Sequence, residues 1–172
     1  MRLGKTQIMV FVLDNTEYGI DIRNINCIVK ASILNIVAIP ESTDVFEGYA
    51  VLRGNVYPVL NLRRKFNLPY VPINSDTKMI IIKITEGFVG ILVDDVTDLF
   101  KMEEQDISAV FTGTHYQKQY IKGVAHLNDR LIIVLDVEEI LNTEEKVVIA
   151  YPGDASCQGD GSPDTAPFSN AD

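Results

Sequence analysis

The 172-residue chain is poor in the residues that build disulfide frameworks and metal sites, with two cysteines and two histidines. Cys27 and Cys157 lie far apart in unrelated contexts, and such a pair is weak support for a disulfide framework. A reducing compartment is the simpler expectation. Cys27, set among Ile25, Ile28 and Val29, reads as a buried structural thiol. Neither His115 nor His126 stands at a metal-binding spacing or beside a cysteine, so both are expected on the surface or in turns. No cofactor is expected. Basic charge is also scarce: 15 Lys and Arg against 24 Asp and Glu leave a net charge of −9. That balance argues against a protein that grips nucleic-acid phosphates and against binding to an anionic membrane surface. No apolar run approaches the roughly 18 residues of a membrane span. The short apolar run in MRLGKTQIMVFVLD stops at Asp14 and lacks the small-residue cleavage site of a secretion signal. The expectation is a soluble, cytoplasmic protein with no direct membrane insertion. GxSxG, Walker and GxGxxG motifs are missing, which leaves the commonest catalytic elbows and phosphate loops without a carrier.

What the chain does have is a hydrophobic content of 47%, enough to bury a core, and that content comes in short runs. Gln7 to Leu13, Tyr18 to Ile22, Ile33 to Pro40, Lys78 to Ile84, Phe88 to Val93, Ile121 to Ala125 and Leu131 to Val137 all read as strands. Asp14-Asn15-Thr16, Glu86-Gly87, Thr112-Gly113-Thr114 and Asn128-Asp129 supply turn chemistry between them. Arg23 to Lys30 has partly helical spacing and predicts a helical turn running into a strand. Asp94 to Phe100 resembles it, and Lys101 to Asp106 is charged and exposed. Leu68 to Asp76 reads as a loop, and Glu138 to Lys146 as a short exposed helix. From Tyr151 onward Gly, Pro, Ser and Asp dominate. Such a segment cannot offset its ordering entropy, so 151–172 reads as a disordered acidic tail, native or appended.

The most informative stretch is Gly48 to Phe66, GYAVLRGNVYPVLNLRRKF. Two apolar runs meet at Arg53-Gly54, the second carries Pro58, and a basic cluster of Arg63, Arg64 and Lys65 follows. This is a hairpin that displays Arg53 beside its bend. It also belongs to a repeat. With Gln7 laid on Lys78 and no gaps, IMVFVL falls on MIIIKI, Gly19 on Gly90, Ile20 on Ile91 and Lys30 on Lys101. With Gly48 laid on Gly123, Ala50 falls on Ala125, Leu52 on Leu127, Val59 on Val134 and Asn61 on Asp136. Chance resemblance between β-rich segments is the alternative, but two ordered matches with aligned glycines favour duplication. The predicted architecture is all-β, two small β-barrel lobes of about five short strands each over a shared core. The expected division is one domain over 1–150, with lobe one near 15–76, lobe two near 77–147 and exchange of the N-terminal strand. The copies differ in charge. The first carries Arg53-Gly54 and Arg63-Arg64-Lys65 where the second carries Asn128-Asp129-Arg130 and Glu138-Glu139, which suits different partners on the two lobes.

Candidate chemistry is thin. Asp94-Asp95 offers paired carboxylates for acid–base work or a hard cation, but adjacent strand residues point to opposite faces, so a turn after a strand is preferred. Arg53 is suited to bidentate anion binding or to locking its own loop. Tyr49, Tyr57 and Phe66 are expected in the core, although a partner groove uses the same residue types.

GYAVLRGNVYPVLNLRRKF resembles the signature of the CheW-like family, a Gly followed by Asn-Leu-Arg-Gly and a Pro-containing strand ending Asp-Leu-Arg. Tyr18 to Ile22, Gly90 to Asp94 and Gly123 to Val137 match in order, so the resemblance covers about residues 7–147. Val51 stands where the family usually has Asn, and Asn61 where it usually has Asp. The resemblance implies two SH3-like β-barrel lobes and no enzymatic activity. It implies an adaptor that couples chemoreceptors to the chemotaxis histidine kinase CheA, in the cytoplasm and recruited to receptor arrays. By position it implies that Ile25, Gly48, Val51, Arg53, Gly54, Met79 and Gly123 face the helical tip of a receptor. Arg63, Asn61 and Pro58 serve as structural or contact residues. The regulatory domain of CheA, which shares the fold, would dock on the barrel ends. A scaffold of a non-flagellar chemosensory pathway and a small-ligand-binding β-barrel are the alternatives.

Overall fold

The structure is a computed structural model, described for residues 4–38, 45–108, 120–142 and 145–146. The chain opens with β1 (Lys5–Leu13) and β2 (Thr16–Asp21). A 3-10 turn, Ile22–Asn24, leads into β3 (Ile25–Lys30), and a second, Ala31–Ile33, into β4 (Ile36–Val37). β5 (Phe46–Leu52) and β6 (Asn55–Asn61) form a hairpin that ends in helix α1 (Leu62–Lys65). Then come β7 (Lys78–Ile84), β8 (Gly87–Val93), β9 (Asp95–Glu103), a 3-10 turn Glu104–Asp106 and β10 (Ile107–Ser108). A second hairpin, β11 (Ile121–Leu127) and β12 (Arg130–Leu135), ends in helix α2 (Val137–Ile140).

The strands build two six-stranded sheets, ordered β3-β7-β8-β6-β5-β4 and β10-β11-β12-β2-β1-β9. Each has one strand more than the five expected. The chain is mostly β, as predicted, and β3 does follow a helical turn. Lys101 to Asp106 is not exposed throughout, since β9 carries the buried Met102, and three further local expectations need correction. The strand expected over Ile33 to Pro40 is two residues long, because the 3-10 turn takes up Ile33. The β7–β8 turn is Thr85-Glu86, with Gly87 already in the strand, paired with Ile84. The final helix starts at Val137 rather than Glu138 and is not a surface helix, since Val137, Ile140 and Leu141 are buried. The Thr112 to Thr114 turn, His115, Cys157 and the tail lie outside the described residues.

The lobe boundary also falls elsewhere. Each sheet takes strands from both repeats, so no cut between 76 and 77 separates them. One lobe is continuous, β3 to β8. The other joins β1 and β2 to β9 through β12, so a whole hairpin rather than one strand is exchanged. Parallel pairings make the joins: Val59 lies opposite Gly90 in one lobe, and Val134 opposite Gly19 in the other.

Three cores hold this together. In the continuous lobe, Ala31, Ala50, Tyr57, Val59, Met79, Ile81 and Leu92 cluster, and Cys27, Val29 and Ile36 pack on them. All six strands contribute, so the sheet curls around its own interior in the manner of a barrel. The second lobe encloses Ile8, Val10, Met102, Ala125, Ile132 and Val134. The largest cluster lies between the lobes. It draws Phe11, Leu13 and Ile20 from one sheet, Leu60, Ile80 and Ile91 from the other, and Val137 and Ile140 from α2. This shared core is what two units too small to be stable alone require. Cys27 is half-buried against the core of the continuous lobe.

Candidate functional site

The β5–β6 hairpin presents the candidate surface. Its two-residue turn has both residues in the left-handed region, Arg53 at φ 54° and Gly54 at φ 81°. Such turns match the twist of the flanking strands. Glycine adopts that conformation freely, whereas a residue with a Cβ pays roughly 1–2 kcal/mol. Arg53 therefore sits at a strained, exposed tip. Its charge reaches the Tyr57 hydroxyl. Burial pushes the Tyr57 phenol up, while a hydrogen bond with Asn55 and the Arg53 charge work against that rise.

Alternation decides which side chains the hairpin shows. Ala50, Leu52, Tyr57 and Val59 point into the barrel, so Tyr49, Val51 and Val56 occupy the outer face, with the buried Pro58 on the same side of β6. Cross-strand pairing makes a strip of them: Val37 opposite Tyr49, Tyr49 opposite Pro58, and Val51 opposite Val56. Val37 is 54% exposed and Val51 47%. The strip is an apolar sheet face with a guanidinium at its end. Val37 and Val56 were missed from sequence. The alternation of β6 would have revealed Val56, but the shortness of β4 hides Val37.

The residues carried over from the family signature divide into two groups. Ile25, Val51, Arg53 and Gly54 are at least partly accessible. Ile25 begins β3 and packs on the shared core. The other three lie together on the hairpin, and Gly54 has open space where a Cβ would be. Met79, Gly48 and Gly123 do not face outward. Met79 is 0% exposed and fills the space above Gly90, where a Cβ would come 2.6 Å from its Sδ. Gly48 is buried at a register shift of β5, with φ +149° and a would-be Cβ 2.1 Å from the Val37 carbonyl oxygen. Gly123 repeats this in the other lobe, 2.5 Å from the Ser108 carbonyl oxygen at a register shift of β11. The two aligned glycines let a short neighbouring strand approach, and their role is packing.

The basic cluster after β6 is also turned inward. Asn61 caps α1, accepting from the backbone N–H groups of Arg63 (2.9 Å) and Arg64 (3.4 Å), and its Nδ2 donates to Glu47 (2.8 Å). Asp136 caps α2 in the same way, accepting from Glu138 N–H. The buried Arg63 forms a fork with Asp94, Nε to Oδ1 at 2.8 Å and Nη2 to Oδ2 at 2.6 Å, while Nη1 donates to the Pro69 carbonyl at 2.7 Å. Asp94 Oδ2 accepts from the Asp14 backbone N–H in the β1–β2 turn of the other lobe. Burial would raise the Asp94 carboxyl, but the Arg63 hydrogen bonds, the Asp14 N–H and the Arg63 charge outweigh it and hold it below its ordinary 3.8. Lys65 pairs with the buried Glu145 at 2.6 Å. Opposite charge on the two repeats at this place therefore serves internal contacts, not two partners. Pro58 is buried opposite Tyr49.

Asp94 and Asp95 work apart: Asp94 on Arg63, Asp95 on Lys78 at 3.0 Å. Among the described residues, no group of three His, Cys, Asp or Glu side chains is placed to hold a metal ion, and no helix is long and apolar enough to cross a membrane. What the surface can do is bury an apolar partner face beside one cation.

Comparison with known proteins agrees with this architecture. A family model, the CheW-like domain, matches residues 7–145. A chemotaxis protein CheW of Helicobacter pylori is 33% identical over 138 residues, covering 80% of this chain and 82% of the relative. One from Klebsiella aerogenes is 30% identical over 144 residues, covering 83% and 86%. The crystal structure of the scaffolding protein TtCheW from Thermoanaerobacter tengcongensis superposes with a TM-score of 0.74 at 28% identity, over 83% of this chain and 97% of that one. With its two interlocked sheets, its glycine-paired repeats and the Arg53-Gly54 hairpin, the chain belongs to the CheW-like domain family.

Proposed function

We propose that this protein is a non-enzymatic adaptor that couples chemoreceptors to the histidine kinase CheA, working in the cytoplasm at receptor arrays. The observation that carries the reading is the outer strip Val37, Tyr49, Val51 and Val56, ending at Arg53. An amphipathic helix is recognised by laying its apolar face along such a surface, and the cytoplasmic tip of a receptor is helical. Arg53, held at a strained turn, would meet a carboxylate or a helix C-terminus on that tip. Gly54 accompanies it on the hairpin, and Ile25 stands apart at the start of β3. Met79 and Gly48 lie beneath the surface, Pro58, Asn61 and Arg63 lie along the strand and helix that follow it, and Gly123 packs in the other lobe.

The test is binding and coupling with purified components. The protein should bind both a receptor tip fragment and the regulatory domain of CheA, and should raise kinase activity in receptor-containing membranes. Arg53→Glu should weaken receptor binding about tenfold or more, as loss of an interface Arg commonly does, with its melting temperature kept. Binding to neither partner sinks the adaptor reading. A collapse of stability in Arg53→Glu with tip binding intact per folded molecule makes Arg53 structural.

A further inference from the structure

The first barrel buries a phenol where the second buries an aliphatic side chain. Tyr57 is 1% exposed and packs among Ala50, Val59, Met79, Ile81 and Leu92. Its counterpart in the repeat, Ile132, lies among Ile8, Val10 and Val134. Ala50 stands opposite Tyr57 in the hairpin and leaves room for the ring. A hydroxyl taken into apolar surroundings needs a hydrogen-bond partner, and the Asn55 side chain provides one. Asn55 and Tyr57 are two apart on β6, so both lie on its inward side.

The Arg53-Gly54 turn is therefore anchored on both flanks. Leu52, before it, packs on the barrel core. Asn55, after it and paired with Leu52, is held by the phenol. Arg53 keeps φ 54° between these anchors, and a long side chain stays in that region only where its surroundings over-determine it. The second hairpin is arranged otherwise. Its turn is Asn128-Asp129, residue types that tolerate a positive φ. At the place of Asn55 it has Arg130, which donates to Glu17 and to Asp98 at 3.0 Å each and stands 5.0 Å from the Phe100 ring centroid. One barrel mouth is closed by a guanidinium on two carboxylates. The other is closed by an amide on a phenol, and the arginine of that hairpin sits at its tip.

We propose that Tyr57 and Asn55 are positioning residues for Arg53: the buried phenol, by holding the amide beside the turn, fixes the left-handed tip from which Arg53 meets its partner. Who that partner is rests on the adaptor reading above; the anchoring of the tip does not. A tip already fixed pays less ordering cost on binding. Tyr57 itself is too deeply buried to touch a partner, so its effect on binding passes through the tip.

The experiment uses the full chain with Tyr57→Phe, which keeps the ring and removes only the hydroxyl. Backbone 15N relaxation of the unbound protein should show Arg53 and Gly54 gaining fast motion while Asn128 and Asp129 keep theirs. Affinity for a receptor tip fragment should fall about three- to tenfold. In an Arg53→Ala background the same substitution should change that affinity by less than about twofold, because residues that act through one another are not additive. A role in stability alone predicts equal losses in both backgrounds and motion in both turns, and either result overturns the proposal. So does a Tyr57→Phe protein whose first turn stays ordered and whose affinity is unchanged. Should Tyr57→Phe fail to fold, Asn55→Ala decides the matter by the same measurements. If the unaltered protein binds no receptor tip, the adaptor reading falls, while the relaxation of Arg53 and Gly54 still decides the anchoring, so the two failures are distinct.

Discussion

The two lobes are the same inside and different outside. Under the alignment of the repeats, each buried residue of the second lobe's core has a counterpart in the first. Ile8 matches Met79, Val10 matches Ile81, Met102 matches Ala31, Ala125 matches Ala50, Ile132 matches Tyr57, and Val134 matches Val59. Volume is exchanged between positions: Met102 and Ile132 in one lobe stand where Ala31 and Tyr57 stand in the other, which keeps each interior filled. The outer faces diverge. Where one hairpin shows Val51, Val56 and Arg53-Gly54, the other shows His126, Leu131 and Asn128-Asp129. Duplication fixed the packing problem once, and the exteriors were then free to specialise.

The clearest break in this equivalence should come from the paired glycines. Gly48→Ala places a methyl against the Val37 carbonyl oxygen at a positive φ. Strain of about 1–3 kcal/mol adds to overpacking of about 1–3 kcal/mol. Gly123→Ala meets the Ser108 carbonyl oxygen at a longer distance, without the positive φ, so only the overpacking cost of about 1–3 kcal/mol applies. Denaturant titration should rank Gly48→Ala as the more damaging. Equal losses would mean that β4 yields as easily as β10.

Next are the two clasps between lobes. The second residue of α1, Arg63, reaches the β1–β2 turn through Asp94. Its counterpart in α2, Glu138, takes the Thr85 N–H of the β7–β8 turn directly, at 3.0 and 3.2 Å. A cation cannot accept an N–H, so the first clasp needs Asp94 as intermediary and the second does not. Arg63 is 8% exposed, and Arg63→Ala leaves Asp94 and the Pro69 carbonyl without it. The expected loss is about 2–3 kcal/mol, below the value for a wholly buried pair because Asp94 is partly solvated. Glu138→Ala breaks an exposed hydrogen bond and should cost about 0.5–1 kcal/mol. A reversed order in thermal or chemical unfolding would contradict the asymmetry.

The same clasp should register in acid. Because the Asp94 carboxyl is held below 3.8 in the folded protein, its contribution is complete above that value and is lost as pH falls through the folded one. The stability gap between the parent and Asp94→Asn should be flat from neutral pH to about pH 5 and narrow below about pH 4. A gap that stays constant to pH 3 would show that Asp94 acts through shape rather than charge.

How much of this was legible in the sequence follows from the range of the interactions. Gly19 against Gly90 and Ala50 against Ala125 revealed the repeat, because alternation and glycine spacing are local. The helical turn before Ile25 and the Asn128-Asp129 bend were equally local. The exchange of β1 and β2 was not, since the parallel pairs β2–β12 and β6–β8 join segments far apart in the chain. Arg63-Arg64-Lys65 looked like a partner face for the same reason. Arg63 finds Asp94 31 residues away and Lys65 finds Glu145 80 residues away. Met79 sits in a strand with apolar residues on both faces, where alternation cannot tell barrel interior from groove.

The smallest effect concerns the two turn tips, where the lobes make opposite choices. Asn128 and Asp129 adopt φ 46° and 70°, values that Asn and Asp tolerate because their short side chains bond locally. Arg53 holds φ 54°, a conformation that a long side chain favours less than Asn or Asp does. Exchanging the residues should therefore act in opposite directions. Asn128→Arg should lower stability by about 1 kcal/mol. Arg53→Asn should raise it by about 0.5 kcal/mol, since the left-handed position then carries a residue that tolerates it. Precise melting curves of both variants, paired with receptor-tip binding, decide the matter. If Arg53→Asn gains stability and loses binding, the strained arginine is kept for its partner. A loss of stability in Arg53→Asn would instead place the side chain among the supports of its own hairpin, and the contrast between the tips would be one of architecture alone.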